Sequence, residues 1–315
     1  MKQLPLALAL TFALAACGPA ADKSAAPEAA SDQPAEVVAP AAAPVQTAVE
    51  EAAPADPVAV VLAGSWRSDD NKARDAYRHP AETLAFFGVQ PGQTVIEISP
   101  GGGWYTEILA PLLKGNGNYV AAYAADATSD YAKKNNEKFR AKLASAPDQY
   151  GAAMSVEYDP KAPNFGMDDT ANVVLTFRNV HNWGEGAPAM FAAFNAVLAP
   201  GGILGVVEHR AAEGADPKAL EGSGYLPTEA VIKLATDAGF ELVGQSEINA
   251  NPNDTKDYEK GVWTLPPNLA LKEVDRDKYV AIGESDRMTL KFKKPEGDAI
   301  FEQGTDKAKP MPASN

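Results

Sequence analysis

The feature that most narrows the fold is a short β-branched run that empties into a glycine cluster and reopens at helical spacing. Thr94-Val95-Ile96-Glu97-Ile98 reads as a strand and Ser99-Pro100-Gly101-Gly102-Gly103 as a loop. Trp104-Tyr105-Thr106-Glu107-Ile108-Leu109 then opens a helix. The alternation continues: strand 118–123, helix 131–144, strands 153–158 and 171–177, helix 187–198, strand 203–208. Strands alternating with helices predict a parallel sheet covered on both faces. Thr228 is expected to cap a helix that Gly239 ends, followed by a sixth strand at 240–247 and a seventh at 287–292. Ahead of the sheet, residues 66–79 are polar and helix-permissive, and Pro80 opens a helix closed by Gly88. No internal repeat is visible.

A glycine loop at the carboxyl end of a first strand lets backbone approach a ligand closely, and a nucleotide-like ligand is the default reading. The dinucleotide spacing Gly-x-Gly-x-x-Gly fails in both registers. From Gly101 the third position falls on Thr106, and from Ser99 on Trp104. Residues Glu97-Ile98-Ser99-Pro100-Gly101-Gly102-Gly103 instead resemble motif I of the class I S-adenosylmethionine-dependent methyltransferases, with Ser99 in place of the first glycine. A structural tight turn gives similar letters, so other segments must carry weight. Residues 171–183, ANVVLTFRNVHNW, resemble the fourth strand and following loop of that family. Residues 194–204, FNAVLAPGGIL, resemble its next helix, Pro-Gly-Gly turn and fifth strand. The resemblance covers about 80–247, and 285–295 fits the antiparallel final strand. It implies an α/β, Rossmann-like class I methyltransferase fold, a mostly parallel seven-stranded sheet with helices on both faces, and S-adenosylmethionine as cofactor.

On that resemblance Glu97, Ser99, Gly101 and Gly103 would face the donor. The family ends its second strand with an acid for the ribose hydroxyls, but here the position holds Tyr123, and Asp126, three residues on, is the substitute. Asp159 stands where the family often places an acid or amide near the adenine, although Asp159-Pro160 is also a good turn former.

Methyl transfer needs positioning and, for a hydroxyl or amine acceptor, a base. The chain has three histidines, and His181 and His209 follow strands at the ligand-binding edge. His181 is the first choice for base or orienter, against a loop-stabilising hydrogen bond. His209 is the second, against a strand cap or a pairing with Glu208. His79, beside Arg78, belongs either to a lid over the donor or to a helix cap. Arg178 either receives an acidic group of the substrate or pairs with a surface carboxylate, and Trp183 is expected to wall the acceptor pocket. No metal is called for. An Asn-Pro-Pro-Tyr run is absent after the fourth strand, which argues against nucleobase amines and glutamine as acceptors.

The N-terminus predicts export. Lys2 precedes an apolar run from Leu4 to Ala16 that is too short for a mature membrane span, and Leu14-Ala15-Ala16-Cys17 resembles the lipobox of bacterial lipoproteins. The alternative is an ordinary secretory signal. The resemblance implies a signal peptide at 1–16, acylation of Cys17 and, with Gly18 next, the periplasmic side of the outer membrane. Cys17 is the only cysteine, so no disulfide forms within the chain. Residues 17–57, rich in Ala and Pro, read as a disordered linker, 58–295 as the methyltransferase-like domain and 296–315 as a disordered tail. A net charge of −14 disfavours nucleic acid as a partner. Three functions follow. The first is a methyltransferase acting on a small-molecule or envelope substrate. The second is a binding or scaffolding lipoprotein that keeps only the fold, and the third, a nicotinamide oxidoreductase, is disfavoured by the failed glycine register.

Overall fold

The computed structural model describes residues 56–297; Cys17 and the signal segment lie outside them, as do the linker but for its last two residues and the tail beyond Gly297. Seven strands form one sheet: β1 Thr94–Ile98, β2 Asn118–Ala124, β3 Met154–Tyr158, β4 Ala171–Phe177, β5 Leu198–His209, β6 Glu241–Ser246 and β7 Arg287–Lys293. Their order is β3-β2-β1-β4-β5-β7-β6. The first five run parallel, and β7 lies antiparallel to both β5 and β6. Interior strands read as near-continuous apolar runs because helices cover both faces, whereas edge strand β6 alternates exposed and half-buried residues.

Helices α1 Pro57–Leu62, α2 Asp69–Lys72, α3 Asp75–Arg78 and α4 Pro80–Phe87 precede the sheet. They are followed by α5 Thr106–Leu113, α6 Asp130–Ser145, α7 Pro147–Tyr150, α8 Ala187–Val197, α9 Pro217–Leu220, α10 Thr228–Asp237 and α11 Arg276–Ile282. One core layer sets α1, α4 and α5 against Val95, Val173 and Val207. The other sets α8 and α10 against Ile96, Val174 and Val206. Phe191 and Phe194 of α8 have no solvent exposure, and truncating either to alanine is expected to cost about 3–5 kcal/mol. Gly205 lets α4 approach β5: a Cβ there would lie 2.8 Å from the Phe87 ring.

Three expectations change. Residues 66–79 form the short helices α2 and α3 rather than one, because tertiary partners hold the segment: Trp66 Nε1 donates to Glu107 O and Trp104 Nε1 to Asn71 O. β5 begins at Leu198, because the Pro-Gly-Gly stretch is absorbed by an irregularity in the β4–β5 pairing. Thr228 is the first residue of α10, and no side-chain bond caps that helix.

Strand order reverses between β1 and β4, which opens a crevice at their carboxyl ends. No described helix is long and apolar enough to cross a membrane.

Candidate active site

The site begins with the loop after β1. Ser99, Gly101 and Gly103 all have positive φ, at 52°, 59° and 75°. Ser99 is the costly one, and it is held there by its N–H to Ala122 O at 2.7 Å and by its hydroxyl, 3.2 Å from that of Tyr158. A Cβ on Gly101 or Gly102 would meet no atom within 4 Å, so the loop lies open to the crevice. Gly103 has a different reason: a Cβ there would strike the Lys142 side chain at 2.7 Å, so this glycine serves close packing against α6.

Three cavities meet around Asn179, which follows β4 and is fixed by donating to Ile98 O at 3.0 Å. The first, about 520 Å³, lies on the β2 side and is lined by Ser99, Gly101, Tyr123, Asn136 and Trp183. The second, about 280 Å³, continues under the loop to Arg74, Arg78, Glu97 and Arg178. The third, about 340 Å³, is lined by Arg178, His181, His209, Trp263 and Arg287.

The four acids or acid substitutes settle differently. Strand alternation puts Glu97 on the α5 face with Val95, buried, where it accepts from Tyr119 at 2.7 Å and sits 3.4 Å from the Thr106 hydroxyl. Burial pushes its carboxyl up to about 7, against those two hydrogen bonds. Asp126 does not line the first cavity. It accepts from Arg140 and Asn136, both at 2.8 Å, and these bonds hold its carboxyl below the ordinary range. Asp159 is not in the wall either; it accepts from the Lys161 N–H at 2.9 Å as a turn former, and Pro160 is the lining residue. Tyr123, at the position where the resemblance would put an acid, lines the cavity.

At the ends of β4 and β5, Glu208 is the organising group. Its fully buried carboxylate accepts from His181 Nδ1 at 2.9 Å, the Val180 N–H at 2.6 Å, the His181 N–H at 3.4 Å and the His209 N–H at 2.8 Å. A carboxylate can only accept, so Nδ1 carries a proton, and in the neutral tautomer of His181 the lone pair lies on Nε2. His209 does not pair its ring with Glu208. Its Nδ1 lies 2.6 Å from Ser285 Oγ. Burial, then Arg287, His181 and further arginines, push its imidazole well below the ordinary value, so it stays neutral near pH 7.

His181, Glu208 and His209 bring possible metal-ligating atoms within 4.8 Å of one another. The carboxylate is already committed to four N–H groups, and the neighbouring guanidinium groups oppose a cation.

Arg178 continues from β4 with φ 60°, and burial followed by Arg287 lowers it to about 10. Glu284 accepts from Arg74 Nε at 2.7 Å, Arg78 Nε at 3.0 Å and Arg287 Nη2 at 2.5 Å. Burial alone would raise the Glu284 carboxyl, but Arg287, Arg78, Arg178 and Arg74 hold it well below the usual range.

Two placements differ from expectation. Trp183 packs on Phe191 and Phe194 and lines the glycine-loop cavity, not the histidine cavity, because a 3-10 turn at Val180–Asn182 carries it past the end of β4. His79 makes no side-chain cap, has a buried Nδ1 without a partner, and lines none of the three cavities; Arg78 beside it lines two. Asn179, Glu284, Ser285 and Arg287 were not singled out from sequence. The one signal was a run of charged and hydroxyl residues, Glu284-Ser285-Asp286-Arg287, leading into an apolar strand.

No protein-family model matches the chain, and no curated protein sequence matches it. Solved structures match it in shape. The [4+2]-cyclase SpnF aligns with a TM-score of 0.50 and 16% identity over 75% of this chain and 86% of its own. An S-adenosylmethionine-dependent methyltransferase from Aquifex aeolicus aligns at 0.45 and 14%, over 70% of this chain and 93% of its own. An arsenic(III) S-adenosylmethionine methyltransferase from Chlamydomonas reinhardtii aligns at 0.46 and 14%, over 78% and 76%. Identities this low speak to architecture and not to reaction. The strand order, the inserted antiparallel β7 and the likeness to SpnF together give the chain a Rossmann-like class I methyltransferase fold.

Proposed function

We propose that the chain is an S-adenosylmethionine-dependent methyltransferase acting on a small-molecule or envelope substrate. The observation that carries this is the meeting of three cavities at Asn179, one beside an open glycine loop and one beside the His181–Glu208 pair. The residues present fit the donor. A side chain at Gly101 would project into unfilled space, and the two loop-side cavities suit a nucleoside and an amino-acid moiety. Ser99, Gly101, Tyr123 and Asn179 would hold the nucleoside side, with Arg74 and Arg78 at the other end. The donor supplies an electrophilic methyl group on a sulfonium.

The protein's own contribution is orientation and a proton acceptor. Glu208 fixes the tautomer of His181, so that Nε2 can take a proton from an acceptor hydroxyl or amine. His209, neutral and tethered to Ser285, stands on the same wall as the second candidate, and its lowered basicity makes His181 the better base. Cys17 would tether this domain to the envelope. Calorimetric titration of S-adenosylhomocysteine into the full chain tests the donor site: micromolar binding lost in Gly101→Val supports it, and no binding in the parent protein sinks it.

One observation favours a binding or scaffolding lipoprotein instead. The ribose position holds Tyr123, while Asp126 is tied to Arg140. Export adds to this, since the donor is made in the cytoplasm. On that reading the donor cavity stays empty at millimolar ligand.

A further inference from the structure

The third cavity carries a charge imbalance. Three guanidinium groups, Arg78, Arg178 and Arg287, line it against one carboxylate, Glu284, which a fourth, Arg74, also reaches from the second cavity, in a chain whose net charge is −14. Arg74, Arg78 and Arg287 each bond Glu284. Arg178 makes no ion pair or hydrogen bond through its side chain among the described residues, although it lines both the second and the third cavity. The other acids nearby are committed: Glu208 to four N–H groups, Glu97 to Tyr119 and Thr106. Partly buried cations without counter-charge are costly, and a site that keeps them is complementary to an anion.

We infer that the third cavity is an oxyanion subsite, which takes an acceptor bearing a carboxylate or phosphate group held by the guanidinium fork of Arg178. This rests on the methyltransferase reading for the word acceptor, though not for the anion. Arg287 acts as a fixed charge, because Nε faces Ser285 at 3.4 Å, Nη1 donates to Tyr77 O and Nη2 to Glu284. Arg178 supplies the free, bidentate donors. Its left-handed backbone, φ 60° in a residue other than glycine, is strain retained at the position that needs it. Trp263, Pro266 and Pro267 offer flat apolar walls, and the volume suits a single-ring molecule with His181 and His209 beside it. Of the four arginines, Arg74 lines the second cavity and not the third, which leaves the donor's carboxylate one cation of its own, while Arg287 lines only the third.

The test is calorimetry on the full chain with S-adenosylhomocysteine present, titrating 4-hydroxybenzoate, its neutral amide and inorganic phosphate. The expected result is that one of the anions binds at least about tenfold more tightly than the amide, and that Arg178→Gln removes the preference while exposed Arg276→Gln keeps it. Benzoate binding identifies a ring acid as the class, and phosphate binding a phosphomonoester. Equal binding of acid and amide by the parent protein, or no binding of either anion, overturns the inference whatever the variant does to folding. Anion binding seen only when S-adenosylhomocysteine is left out also overturns it, because the arginines then hold the donor's own carboxylate. Failure of S-adenosylhomocysteine to bind, with the anion preference intact, instead removes the methyltransferase reading and leaves the oxyanion subsite standing.

Discussion

His181 Nδ1 lies 2.9 Å from Glu208 Oε1, and the same carboxylate also receives the backbone N–H groups of Val180, His181 and His209. One side chain at the end of β5 thus fixes a histidine ring and the loop that carries it. Glu208→Gln keeps the shape but replaces an acceptor oxygen by a donor, which leaves buried N–H groups unmatched. The expected cost is about 1–3 kcal/mol of stability by urea unfolding. Turnover is expected to fall about 10²–10⁴-fold in both Glu208→Gln and His181→Ala, with S-adenosylhomocysteine affinity kept. Unchanged turnover in His181→Ala would remove the histidine from the chemistry.

Glu97 gives the stability a pH dependence of unusual sign for an acid. Its carboxyl is raised from 4.5 to about 7 in the folded chain, so between those values the folded state binds more protons than the unfolded one. Its contribution is full below about pH 4.5 and is lost as pH rises through 7, on the order of 3 kcal/mol in all. Urea unfolding at pH 5 and pH 8 is expected to show this difference shrink in Glu97→Gln. An unchanged difference in the variant would show that other groups set it.

Gly101 and Gly103 share a left-handed backbone but separate in effect. Gly101→Val adds atoms where the protein has none within 4 Å, so it is expected to abolish donor binding with a modest loss of stability, about 1–2 kcal/mol. Gly103→Val drives a side chain into Lys142 and Phe139, and its main effect is expected in thermal unfolding. Equal loss of stability in the two would contradict the open loop.

Asp126 is expected to be dispensable for the donor. Its carboxylate is engaged with Arg140 and Asn136 at the surface, so Asp126→Asn leaves S-adenosylhomocysteine affinity within about fivefold. A larger loss would mean that Asp126 leaves Arg140 when ligand arrives.

Most of the sheet was legible because its strands are short β-branched runs cut by glycine or proline, and Thr94–Ile98 and Ala171–Phe177 fall where the sequence puts them. The segment before Pro80 was less so. Its bonds reach across the chain, from Trp66 to Glu107 and from Trp104 to Asn71, and no local periodicity encodes them. His181 and His209 come together on one cavity wall, as expected from strand ends that converge at one sheet edge. Ser285 was not legible, since its bond to His209 spans 76 residues and depends on β7 returning antiparallel beside β5. Asp126 and Trp183 were misplaced for a related reason: the turns that follow β2 and β4 decide where a side chain ends up, and a motif gives only the distance along the chain.

The insertion of β7 between β5 and β6 sets an order of assembly. The residues that lead into it supply Glu284 to the arginines and Ser285 to His209, so the last of the described strands to be synthesised also completes the polar floor of the third cavity. A nascent chain that has not yet extended past Gly283 has the glycine loop and both histidines, yet the guanidinium groups lack their common counter-charge and the sheet lacks the strand that joins its far edge. The polar floor at this edge therefore waits for that strand, and a chain cut short there would lack it even where most of its core had formed.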